Sequence, residues 1–130
     1  MAAMHLIAII AAILAAAIHG WFFIMESVWF MRPSVWSRFG IRNADDAATV
    51  RSFAFNQGFY NLFLAAGVAI GLVLIVTGNV PAGRAIVLFA CGSMVAAGSV
   101  LYLYNSSFLR AAAIQVVPPL VAIVTALVLS

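Results

Sequence analysis

Six side chains carry the chemistry this sequence offers: His19 and Glu26, then Asn56, Gln57 and Asn61, then Gln115. All lie in stretches made mostly of Ala, Leu, Val, Ile, Phe and Gly. Ionised at bilayer depth, a carboxylate costs about 2.5–3.5 kcal/mol on insertion scales, so by default it marks a functional site. The imidazole could act as acid or base beside it, and the amides could orient a polar ligand. Counted from flanking arginines, Glu26 lies six residues from Arg32, and Asn56 and Gln57 lie five and six from Arg51. Gln115 lies five from Arg110. At 1.5 Å per helical residue these four share one depth, roughly 8–9 Å below the guanidinium groups. His19 stands seven residues beyond Glu26 on nearly the same helical face, roughly 10 Å away. Asn61 stands four beyond Gln57, so a polar stripe runs inward. Ser99 and Tyr102 of a third apolar stretch fall at comparable depth.

Each residue also has a structural reading. Glu26 can snorkel to the headgroups or pair with Arg32 or Arg51. His19 can be a neutral imidazole bonded to a neighbouring helix. Each amide can be interhelical glue, worth about 0.6 kcal/mol per bond. The shared depth favours a common site. The expectation is that Glu26, Asn56, Gln57 and Gln115 converge on one pocket, with Asn61 and His19 at its floor. No metal or cofactor is expected. His5 and His19 are about 21 Å apart along one helix, so one chain cannot bring both to one ion. A haem would need histidines from two helices. Cys91 is the single cysteine, and neither an HExxH pair, a phosphate-cradling loop nor a nucleophile elbow occurs.

The elements that must position these residues follow from composition. Of 130 residues, 67% are hydrophobic and 7% charged. A soluble domain carries nearer a quarter charged residues, so this is an integral membrane protein of one domain, residues 1–130. Apolar runs span about 4–30, 53–77, 85–104 and 111–129. Each meets the roughly 20-residue length of a spanning helix, and none alternates with period two. The fold class is all-α, a four-transmembrane-helix bundle. Ala15-Ala16-Ala17 imitates a signal cleavage site, but the run is too long and lacks a basic start, so cleavage is not expected. Pro118-Pro119 should weaken or kink the fourth helix and free the carbonyls of Ile114 and Gln115.

The net charge of +3 rests on six arginines and no lysine, set at the edges of apolar runs. That placement is a topology signal and not a nucleic-acid footprint. Arg32, Arg38, Arg42, Arg51 and Arg110 fall on one side and Arg84 on the other, so loops one and three should be cytoplasmic and both termini outside. Asn43-Ala44-Asp45-Asp46 reads as a helix N-cap, so helix two can begin before the membrane does. Trp29 and Trp36 suit an interfacial belt. Gly67 and Gly71 form a GxxxG face, and with Gly92 and Ala96 they offer close-packing surfaces within the chain or between copies. Helices two and four each place an amide five residues after an arginine, an echo more simply ascribed to chance.

Three segments, HGWFFIMESVWFMRPSVWSRFGI, FAFNQGFYNLFLAAG and LRAAAIQVVPPLVAIV, resemble domain-of-unknown-function family 1304, small four-helix bacterial membrane proteins. The NQG-Y-N element is the most specific part, and helix three matches least. The resemblance implies four membrane helices, with recurring polar positions at Glu26, Asn56, Gln57, Asn61 and Gln115. A helix-one histidine of that family lies near His19. The family brings no chemistry of its own.

The function expected from these residues is binding or transport of a small molecule or ion at a cytoplasm-facing intramembrane pocket. Glu26 would be its proton-linked or cation-binding carboxylate. A small multidrug exporter of dual topology is disfavoured by the five-to-one arginine bias. One alternative is a membrane-embedded enzyme on a lipid-like substrate, with Glu26 and His19 as acid and base, although their separation demands two ends of a substrate or a water. The other is a structural oligomeric scaffold. The expected location is the bacterial cytoplasmic membrane. Expected partners are membrane lipids, a small-molecule or cation ligand and further copies of the chain, but not nucleic acid.

Overall fold

A computed structural model describes residues 3–129. Among them every element is helical and no strand occurs. Helix α1 covers Leu6–Phe23 and passes into a π-helical turn, Ile24–Val28. A short helix α2, Pro33–Trp36, and a 3₁₀ turn, Ser37–Phe39, follow. Helix α3 covers Ala44–Val76, α4 Val80–Tyr104 and α5 Leu109–Val128, the last preceded by a 3₁₀ turn at Ser106–Phe108. Four helical spans are long and apolar enough to cross a membrane: Leu6–Val28, Ala44–Val76, Val80–Tyr104 and Ser106–Val128. Their exposed side chains include Leu14, Phe63, Ile70, Phe89 and Val124, as expected of surfaces that face lipid.

Local chemistry sets the helix ends. The Asn43 side chain accepts a hydrogen bond from the Asp46 amide at 2.8 Å, so α3 starts at Ala44, well before the apolar run at residue 53. Asp45 and Asp46 then sit in its first turn, where the helix dipole favours negative charge. Helix α4 starts at Val80, earlier than the apolar run at residue 85, because Pro81 is tolerated in a first turn. Gly40 (φ 76°) and Gly78 (φ 99°) take the left-handed conformation that ends the 3₁₀ turn and makes the α3–α4 turn. Helix α5 runs unbroken through Pro118-Pro119, so the expected weakening does not end the helix. In that setting neighbouring groups can compensate the lost donors.

The chain divides into two compact units, one made by the chain up to Ile18 and from Leu64 onward, the other by His19–Phe63. The first has an alanine-rich core. Ala8, Ala12 and Ala15 of α1 pack with Val68 of α3, Val87, Cys91 and Met94 of α4, and Ala122 and Ala126 of α5. Small residues allow this closeness. A Cβ on Gly83 would fall 2.4 Å from the Gly71 carbonyl oxygen, and one on Gly71 would fall 2.6 Å from Val87 Cγ2. Gly67 faces Ala90. The GxxxG face is therefore used inside the chain, against α4. Arg84 donates to the Ala126 carbonyl near the end of α5, where a cation offsets the helix dipole.

The second unit is aromatic. Phe59 stands edge-on to Phe23 (5.1 Å between ring centroids) and beside Phe55 (5.0 Å). Trp29 stands edge-on to Trp21, and Arg32 lies over the Trp29 ring at 4.3 Å. Val35 of α2 and Phe30 are buried, anchoring the connection between α1 and α3.

Candidate functional site

The second unit brings Glu26 and Asn61 together. Glu26 lies in the π turn, where the Trp29 amide reaches back five residues to the Ile24 carbonyl at 2.8 Å. The turn closes α1, for Trp29 beyond it leaves the helical conformation. The turn displaces its side chains from the phase an unbroken α-helix would give. Glu26 is 9% exposed and Asn61 3%. Asn61 Nδ2 donates to both carboxylate oxygens, at 3.2 and 3.4 Å. The partner is thus a neutral amide and not a guanidinium.

Two further residues hold this contact. Ser27 Oγ donates to the Phe55 carbonyl at 2.8 Å, tying the π turn to the backbone of α3. Gly58 lies one turn before Asn61, and a Cβ there would fall 2.0 Å from Ser27 Oγ, 3.0 Å from Ser27 N and 3.1 Å from Glu26 Cβ. The glycine lets α3 approach closely enough for Asn61 to reach the carboxylate. Sequence reasoning missed both Ser27 and Gly58. The available signal was a glycine inside a helix, which usually has a packing reason.

Beside the carboxylate is a pocket of about 40 Å³, lined by Glu26, Ser27, Met31, Arg51 and Phe55 among others. A water needs about 10–15 Å³, so the space suits about three waters. Organic ligands occupy pockets of about 300–1,000 Å³.

His19, Asn56, Gln57 and Gln115 are not among the residues that line this pocket. Asn56 and Gln57 are exposed and do not line the pocket. Helical phase explains this. At about 100° per residue, the face bearing Ala47, Gly58 and Asn61 is buried, Gln57 lies to one side of it and Asn56 nearly opposite. His19 is fully buried, stands edge-on to Phe22 at 5.3 Å between centroids, and does not line the pocket. Gln115 belongs to the other unit and is half-buried, its Cβ and Cγ each 3.3 Å from where a Cβ on Gly98 would sit. Among the described residues no group of three or more His, Cys, Asp or Glu could hold a metal ion.

The family model described as "Protein of unknown function (DUF1304)" matches residues 13–127. The chain belongs to this family. The matched region takes in Glu26, Ser27, Gly58 and Asn61, the residues of the candidate site. No curated protein and no solved structure matches the chain.

Proposed function

We infer that this DUF1304 protein is a multi-pass protein of the bacterial cytoplasmic membrane that binds a proton or one small cation at Glu26. The carrying observation is a buried carboxylate, held by Asn61 in a π turn, beside a pocket sized for a few waters. That volume favours a hydrated ion site over an organic substrate. Arg51 at the pocket supports access from the side of loop one. The five-to-one distribution of arginines supports a cytoplasmic position for that loop and outside positions for both termini. The enzymatic reading gains less support, because His19 does not line the pocket.

Association of copies remains part of this reading. With Gly67 and Gly71 engaged inside the chain, the open small-residue positions are Gly92, where an added Cβ meets nothing within 4 Å, and exposed Ala96. One turn apart on α4, they suit close helix packing between copies.

The test is proton counting on purified protein in nanodiscs, with pH jumps and with added alkali cations. Wild type should exchange about one more proton per chain than Glu26→Gln. Equal exchange by the two proteins would overturn the reading.

A further inference from the structure

Between α4 and α5 runs a groove of about 310 Å³, lined by Gly98, Ser99 and Tyr102 on one wall and Leu109, Ala113 and Val117 on the other, among others. It lies entirely within the first unit and shares no lining residue with the Glu26 pocket. Ala113 leaves the space, while Gly98 lets α4 close on α5, since a Cβ there would fall 2.5 Å from Val116 Cγ2. From Leu109 to Val117 the α5 wall extends about 12 Å along the helix axis. A groove parallel to a membrane-crossing helix runs in the direction of a lipid acyl chain. Its lining is apolar apart from the Ser99 and Tyr102 hydroxyl groups. Ser99 Oγ donates to the Val95 carbonyl, and Tyr102 is 42% exposed.

Charge indicates which lipid. Arg110 is exposed in the first turn of α5. It is three residues before Ala113 and seven before Val117, so helical phase sets it beside them at the rim of the groove, at the end where α5 begins. A guanidinium there complements a phosphate bidentately. We propose that the α4–α5 groove binds the acyl chain of an anionic glycerophospholipid whose headgroup phosphate is held by Arg110. Tyr102, at the same end, offers its hydroxyl to the headgroup.

Native mass spectrometry of the full chain, released from mild detergent after exchange with phosphatidylglycerol or phosphatidylcholine, tests this. Wild type should retain one phosphatidylglycerol in preference to phosphatidylcholine. One basic residue near an anionic surface contributes about 1 kcal/mol, so Arg110→Gln should lower that preference about fivefold. Arg38→Gln, in the other unit, should leave it unchanged. Ala113→Phe should fill the groove and expel the lipid. Thermal unfolding establishes that it is folded, and Val117→Phe replaces it if it is not. Equal losses from Arg38→Gln and Arg110→Gln, equal retention of phosphatidylcholine, or lipid kept by a folded groove-filled variant would each overturn the proposal. So would disulfide-linked dimers of Ala113→Cys in lipid, because a second copy would then cover the groove.

Discussion

Glu26 is buried because of three neighbours, each acting through a different force. Asn61 supplies hydrogen bonds, Ser27 ties the turn to the Phe55 carbonyl, and Gly58 supplies space. The glycine gives the sharpest prediction at this scale. Gly58→Ala drives a Cβ against the Ser27 backbone nitrogen, which cannot swing aside as a side chain can. Overpacking of this kind costs about 1–3 kcal/mol, so the midpoint of thermal unfolding in detergent should fall. Gly20→Ala meets nothing within 4 Å and should be neutral or stabilising, by up to about 1 kcal/mol of helix propensity. Equal midpoints for the two variants would contradict the close approach of α3 to the π turn. At this scale the sequence told much about which residue types matter and less about where they point. Glu26 and Asn61 stand out as polar groups in apolar runs. Spacing along each helix could be counted, because rise per residue is constant. Rotation was not legible: at about 100° per residue Asn56 lies about 140° around α3 from Asn61.

At the scale of elements, the four spans could be read from apolar length alone, because a bilayer demands it. Their ends depend on caps and turns, so apolar length misplaces them. Asn43 extends α3 beyond its apolar run, and Pro81 opens α4 early. The π turn left no mark in the sequence, because Ile24-Met25-Glu26-Ser27-Val28 contains no residue that demands it. Its register depends on contacts with residues about thirty positions away, Phe55 and Asn61. Pro118-Pro119 suggested a weakened or kinked helix, and α5 runs through both prolines. The cap yields the prediction here. Asn43→Ala removes the acceptor of the Asp46 amide and should destabilise the first turns of α3 by about 0.5–2 kcal/mol. Hydrogen exchange at residues 45–49 should then accelerate, with the membrane-embedded part of α3 unchanged. Unaltered exchange there would show that the cap is dispensable.

At the scale of the molecule, the proposed topology turns on the arginines. The pocket beside Glu26 includes Arg51, one of the five arginines proposed to face the cytoplasm. Arg84, proposed to lie on the other side, is engaged with the Ala126 carbonyl. Cys91 is fully buried, so it is a quiet background for thiol labelling. Ser34→Cys should react with a membrane-impermeant maleimide only after cells are opened. Labelling in intact cells would invert the topology.

Glu26 is the sequence's single glutamate, so a sample labelled with ¹³C at the glutamate carboxyl gives one protein signal. The protein is reconstituted in sealed vesicles of known orientation, and pH is set separately on the two sides. The carboxyl signal should follow the pH of the compartment facing residues 31–52 and ignore the other. A signal that follows only the side of the termini, or that moves with neither side, would contradict a hydrated carboxylate site reached from the arginine-rich face.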